Sequence, residues 1–194
     1  MAMLRALAWA GASLAGAAIG LLSALWSIEA SAGASYNTVN GWRVSSVAGG
    51  PAGGLRERAA AARQELMGVS GREGRVYLRD RDDAGNRLDE SCIYALEGRA
   101  LPARWWSVSL YAPDHGLAAN SDHAFSVHSD RLGAGRRWSV RISPVRGEAA
   151  HWLSSRAARR GFSLALRAYH ANRGDRALEA ALPSLTLVSC PDRP

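Results

Sequence analysis

The side chains of this sequence with chemical potential are a run of histidines and aspartates, two cysteines, and an alternating set of aromatic, hydroxyl and arginine residues. Asp114, His115, Asp122, His123 and His128 fall within fifteen positions, and carboxylates with imidazoles are donors that zinc accepts. Their spacing fixes no coordination geometry, because His123 and His128 are an odd number of residues apart and would project from opposite faces of one strand. Asp80, Asp82 and Gly85 fall at positions 1, 3 and 6 of a calcium loop, but position 5 is Ala84 and position 12 is Ser91 where a bidentate glutamate is needed. An ordinary acidic turn fits better. No GxSxG, HExxH or CxxC is present, so no catalytic residue, metal site or cofactor is assigned.

The more informative set comes from strand alternation. In LPARWWSVSLY, Trp106, Val108 and Leu110 point one way, while Trp105, Ser107, Ser109 and Tyr111 point the other. Arg167 and Tyr169 occupy the equivalent positions of FSLALRAY, and Arg141 and His128 those of two further runs. If these faces line one curved sheet, they form a concavity with aromatic walls and an arginine able to grip a carboxylate or phosphate. The competing reading is a solvated outer face, which antiparallel sheets commonly have. Cys92, at the start of a strand, and Cys190 invite a disulfide. It would close a loop of about 98 residues and contribute roughly 4–5 kcal/mol in the chain-entropy model. The alternative is two buried thiols.

These residues need strands to position them, and the chain supplies short alternating runs bounded by turn residues. They lie around Trp42–Val47, Val76–Arg79, Cys92–Leu96, Leu101–Tyr111, Ala124–Ser129, Trp138–Ser143, Phe162–Tyr169 and Leu185–Ser189. Such a series predicts a sandwich or barrel. Leu55–Met67 is the one helix expected in the soluble part, with Leu55, Ala59, Ala62 and Leu66 on one stripe and Gly68 as its stop. The GGPAGG run over 49–54 reads as a loop and lacks dinucleotide-binding spacing. The segment containing HWLSSRAARRG also reads as a loop.

Ahead of this domain, no residue from Ala6 to Ile28 carries a charge, and as a helix that run spans about 34 Å, enough for a bilayer core. Arg5 is the sole basic residue before it. The positive-inside rule therefore keeps the short leading tail in the cytoplasm and sends the domain to the periplasm, as in a single-pass inner-membrane protein. Ala30-Ser31-Ala32 offers a small-residue cleavage site, so a removable signal is the alternative. Gly16 and Gly20 form a GxxxG pair of the kind that supports homo-oligomers. The expected organisation is an anchor over 1–28, a linker over 29–40 and a β-domain over 41–194.

The net charge of +7 comes from 24 basic against 17 acidic residues, and every basic one is arginine. They are scattered, with no basic run interleaved with aromatics, which argues against a nucleic-acid partner.

WWSVSLY, Asn120, HWL at His151–Leu153, FSLALRAY and LPSLTLVSC together resemble the bacterial family called domain of unknown function 1214, over Gly41 to Cys190. The resemblance implies an antiparallel jelly-roll-like β-sandwich with one short helix and no established reaction. It also implies a partner, a protein carrying the 1254-type domain that accompanies this one in longer chains. The sequence departs from the family pattern at His151, where asparagine is usual, and at Ser154, where proline is usual. The functional expectation is a binding or interaction module on a membrane anchor. An enzyme or small-ligand carrier using the Arg167 and Tyr169 face is the alternative.

Overall fold

The structure, a computed structural model, describes residues 2–34, 36–45, 73–132, 137–171 and 174–191. The helix expected over Leu55–Met67 and the GGPAGG loop lie outside the described residues.

Alanine and leucine, with no proline, favour a long first helix, α1, Ala2–Ala34. Arg5–Ile28 is long and apolar enough to cross a membrane, with mean hydropathy 1.6 and no part buried against the rest of the chain. A signal sequence near the beginning of a chain has the same character. The helix continues past Ile28, and β1 begins at Tyr36, so the stretch expected as a linker over 29–40 carries regular structure at both ends.

The remainder is mainly β, in two sheets. β1 (Tyr36–Val39), β2 (Trp42–Ser45), β3 (Gly74–Arg79), β5 (Ala103–Tyr111), β6 (Ser126–His128) and β9 (Ser163–Ala171) form a six-stranded sheet in the order β1-β2-β3-β9-β5-β6. β4 (Ile93–Arg99), β7 (Arg137–Ser143), β8 (Trp152–Ser154) and β10 (Ser184–Ser189) form a four-stranded sheet in the order β10-β4-β7-β8. Two short helices, α2 (Ser129–Leu132) and α3 (Asp175–Glu179), interrupt the strands.

The apolar alternates of both sheets meet in one core. Trp106, Val108, Leu110, Leu164 and Leu166 come from one layer, and Leu96, Val140, Ile142 and Leu185 from the other. Trp106 and Trp138 join the layers with ring centroids 4.9 Å apart. Trp42 is wholly buried and spends its indole N–H on the carbonyl of Pro183 at 2.8 Å. Tyr77 is buried between the layers too, and burial, then the Glu179 and Asp175 carboxylates, hold its phenol above the usual tyrosine range. A neutral ring suits that core position.

Trp138 lies across Gly98, its partner in the β4–β7 register, where an added Cβ would meet the indole at 2.5 Å. Gly98→Val should therefore cost about 1–3 kcal/mol through overpacking. A shift of the urea midpoint with unchanged slope would show it, and an unaltered midpoint would refute it.

The sheets depart from expectation in the HWLSSRAARRG segment, which is not all loop: Trp152–Ser154 joins β7 as a parallel edge strand. Three residues are too few for a period to be read, so only long-range pairing reveals the strand. The four-stranded sheet is consequently not wholly antiparallel. Ser154, where the resemblance implied proline, donates its backbone N–H to Ala124 O at 2.7 Å and its hydroxyl to Asp122 at 2.9 Å. Proline could supply neither bond. The Asn120 side chain joins the same junction, donating to Ala118 O at 3.1 Å and to Ser154 O at 3.4 Å. Two segments more than thirty residues apart thus meet as one structural knot.

Candidate functional site

Because the core takes Trp106, Val108 and Leu110, their alternates on β5 face away from it. On that outer face Trp105 sits opposite Tyr169, and Ser107 lies between Arg167 on β9 and His128 on β6. Trp105 stacks on His128 with centroids 5.9 Å apart and leans against Tyr169 at 5.7 Å. The Arg167 guanidinium lies 5.4 Å from the centre of the Tyr111 ring, a cation–π contact. Ser107 and Ser109 are shaded to 6% and 8% exposure, and Ser109 shares a 3.0 Å hydrogen bond with Ser126.

Asp130, in the first turn of α2, holds one of these rings and approaches a second. It accepts the Trp105 indole N–H at 3.0 Å and lies 3.5 Å from His128 Nδ1. Sequence reasoning passed over Asp130, although its place two residues after His128 is the signal that could have found it. No hydrogen bond joins Ser107 to His128, its partner in the β5–β6 register. The face offers half-exposed rings and an arginine, which is chemistry for binding.

Of the residues expected together, Trp105, Ser107, Ser109, Tyr111, Arg167, Tyr169 and His128 do share this face. Arg141 does not. It lies on β7 in the other sheet, opposite Trp152, with its Nε donating to Ser143 Oγ at 3.1 Å. Strand alternation assigns a side chain to a face of its own strand and says nothing about which sheet that strand joins.

The expected concavity is also displaced. A cleft of about 260 Å³ opens at the Tyr111 end of the face, and of the residues expected on the concave face only Tyr111 lines it. Leu78, Leu88, Ala112, Pro113 and Phe162 supply apolar wall, while Arg43, Asp80, Arg87 and His115 are its ionisable groups. They come from strands and turns distant in sequence, which no local spacing brings together.

The histidine and aspartate run disperses. Asp114 pairs with Arg159 at 2.7 Å, and Asp122 accepts from Ser154. Among the described residues, no group of three or more His, Cys, Asp or Glu is placed to hold a metal ion. Cys92 and Cys190 are joined in a disulfide that ties β10 to the entry of β4. Such a bond persists in oxidising compartments and suggests a domain outside the cytoplasm.

The fold and site define a two-sheet β-sandwich with a disulfide, a ring-and-arginine outer face and an apolar leading helix. By sequence the chain belongs to the family of proteins of unknown function DUF1214, whose model matches residues 73–173. That is a narrower span than the motifs suggested.

No curated protein matches the chain in sequence. Among solved structures it is similar to the VPA0106 protein from Vibrio parahaemolyticus, with 22% identity and a TM-score of 0.55 over 69% of this chain and 35% of that one. It is also similar to an uncharacterized protein from Burkholderia cenocepacia, with 16% identity and a TM-score of 0.50 over 77% of this chain and 35% of that one. At these identities the likeness concerns the fold alone. The chain spans about a third of the length of either protein.

Proposed function

We propose that this protein is a single-pass inner-membrane protein whose β-sandwich acts in the periplasm as an association module. On this reading α1 stays in the bilayer, and the outer face of the six-stranded sheet meets an envelope protein carrying a 1254-type domain. The observation that carries it is the contiguous Trp105, His128 and Tyr169 cluster beside Arg167, held half-exposed on a sheet face. Tryptophan, tyrosine and arginine are the residue types that dominate protein interfaces, since each covers area while keeping a polar contact. The disulfide is consistent with an oxidising compartment.

Titration of the purified full chain with a purified 1254-type domain protein tests this directly. Trp105→Ala combined with Arg167→Ala should weaken the complex at least tenfold, about 1.4 kcal/mol or more. Binding unchanged by the double substitution, or absent from the native chain, would remove the proposal. The second reading, a small-ligand carrier, is favoured by one observation, the cleft beside Tyr111. That cleft, and not the Arg167 and Tyr169 positions, would hold the ligand.

A further inference from the structure

We infer that the cleft beside Tyr111 is a binding site for a small amphipathic carboxylate, an aromatic or short-chain acid, and that it works independently of the association face. The inference rests on the match between an apolar wall and an excess of positive charge at one rim. Leu88, Ala112 and Phe162 are core residues, 3%, 5% and 5% exposed, that present their remaining edges to the cleft beside Leu78 and Pro113. The cleft holds about 260 Å³. That is room for one ring or a short chain and too little for a folded partner.

The rim carries Arg43 and Arg87 against a single Asp80. Asp80 approaches Arg43 only to 3.7 Å, and one carboxylate cannot occupy the five N–H donors of a guanidinium. Arg43 Nε has no hydrogen-bond partner, and Arg87 makes no ion pair among the described residues. A carboxylate entering with its apolar end against Phe162 and Leu88 would place its charge near these two arginines. Arginine–carboxylate contacts are charge-assisted and can be bidentate, which makes them stronger than neutral hydrogen bonds.

The walls are built in advance. Ala112 N donates to Gly116 O at 2.9 Å and His115 N to Ala112 O at 3.0 Å, which closes the turn bearing Pro113 and His115. The Asp114–Arg159 pair ties that turn to the segment leading into Gly161, and Leu88 N donates to Asp80 O at 3.0 Å across the facing turn. A site with walls fixed before binding loses less entropy on capture.

Gly161 supplies a variant that blocks the space. A Cβ there would lie 3.7 Å from Leu88 O and 4.0 Å from Pro113, ordinary contacts with two wall residues, so the position accepts a side chain within the cleft lining. The experiment is calorimetric titration of the full chain, held in nanodiscs of neutral phospholipid, with 3-phenylpropanoate, its neutral amide and inorganic phosphate. Empty nanodiscs serve as blank.

The acid should bind with a submillimolar Kd, and both the amide and phosphate at least tenfold more weakly. Arg87→Gln, at an exposed rim position, should weaken the acid at least threefold, and Arg43→Gln with Arg87→Gln at least tenfold. Gly161→Leu should abolish binding while retaining the native urea midpoint. Equal affinity for acid and amide, phosphate bound as tightly as the acid, native affinity in Gly161→Leu, or no binding by the native chain would each overturn the inference.

Discussion

Replacing Cys92 and Cys190 with serine should lower the stability of the sandwich by about 4 kcal/mol, the largest single effect expected in this protein. The bond joins residues 98 apart, with Cα atoms 4.2 Å from one another. Cutting it restores to the unfolded chain the freedom of a very long loop. The folded state loses little by comparison, since β10 remains paired with β4 through Leu185, Thr186 and Leu187. A drop of that size is a large share of the 5–15 kcal/mol that domains commonly possess. Urea unfolding of the oxidised protein, the reduced protein and the double serine variant provides the measurement. The reduced and serine forms should share one lowered midpoint, and coincidence of all three curves would show that the bond contributes nothing.

Arg79→Met should cost about 2–4 kcal/mol, although methionine fills much of the same volume. Arg79 is 1% exposed at the end of β3. Its guanidinium donates to Arg81 O at 2.7 Å, to Asn40 O at 3.2 Å and to Pro183 O at 3.5 Å, and it pairs with Asp83. It also lies over the buried Trp42 ring at 5.7 Å. One cation thereby clips the β1–β2 turn, the acidic turn and the approach to β10. Replacing a buried ion pair with apolar side chains can be neutral when both charges leave together. Here most partners are backbone carbonyls, which no substitution removes.

Asp83 moderates the loss, because its carboxylate is 38% exposed and keeps the Leu185 N–H at 3.0 Å. Lysine should recover only part of the deficit, being a point charge where several acceptors are spread in a plane. The Gly41 backbone leaves no slack, since a Cβ there would sit 2.9 Å from the guanidinium and φ is +76°. An Arg79→Lys variant with the native midpoint would defeat this account.

These two effects bear on function through position. The Arg79 clip lies one residue from Asp80, at the rim of the cleft, while the disulfide holds the opposite sheet in register behind it. Loss of the Arg79 clip should loosen that rim, whereas loss of the disulfide should leave it in place. Stability and ligand capture are therefore best measured in the same variants.

The sequence by itself determined the β character of the domain, the side of each main strand that enters the core, and the apolar helix ahead of it. Alternation in WWSVSLY and FSLALRAY already separates Trp106, Val108 and Leu166 from Trp105, Ser107 and Arg167, because a strand has a two-residue period whatever its neighbours are. The pairing of Cys92 with Cys190 was legible as an option, since no other cysteine competes.

Tertiary structure alone decided which strands share a sheet, and with that the composition of the site. Arg141 left the ring cluster because β7 pairs with β4 and β8, and Asp130 entered it because α2 follows β6 directly. The cleft and the ties of Arg79 to Asn40 and Pro183 arise from contacts between residues tens of positions apart, and β8 from pairing with a strand eleven positions back. A short-range period carries no information about those contacts. Their cause is the way two sheets of unequal width must close over one core.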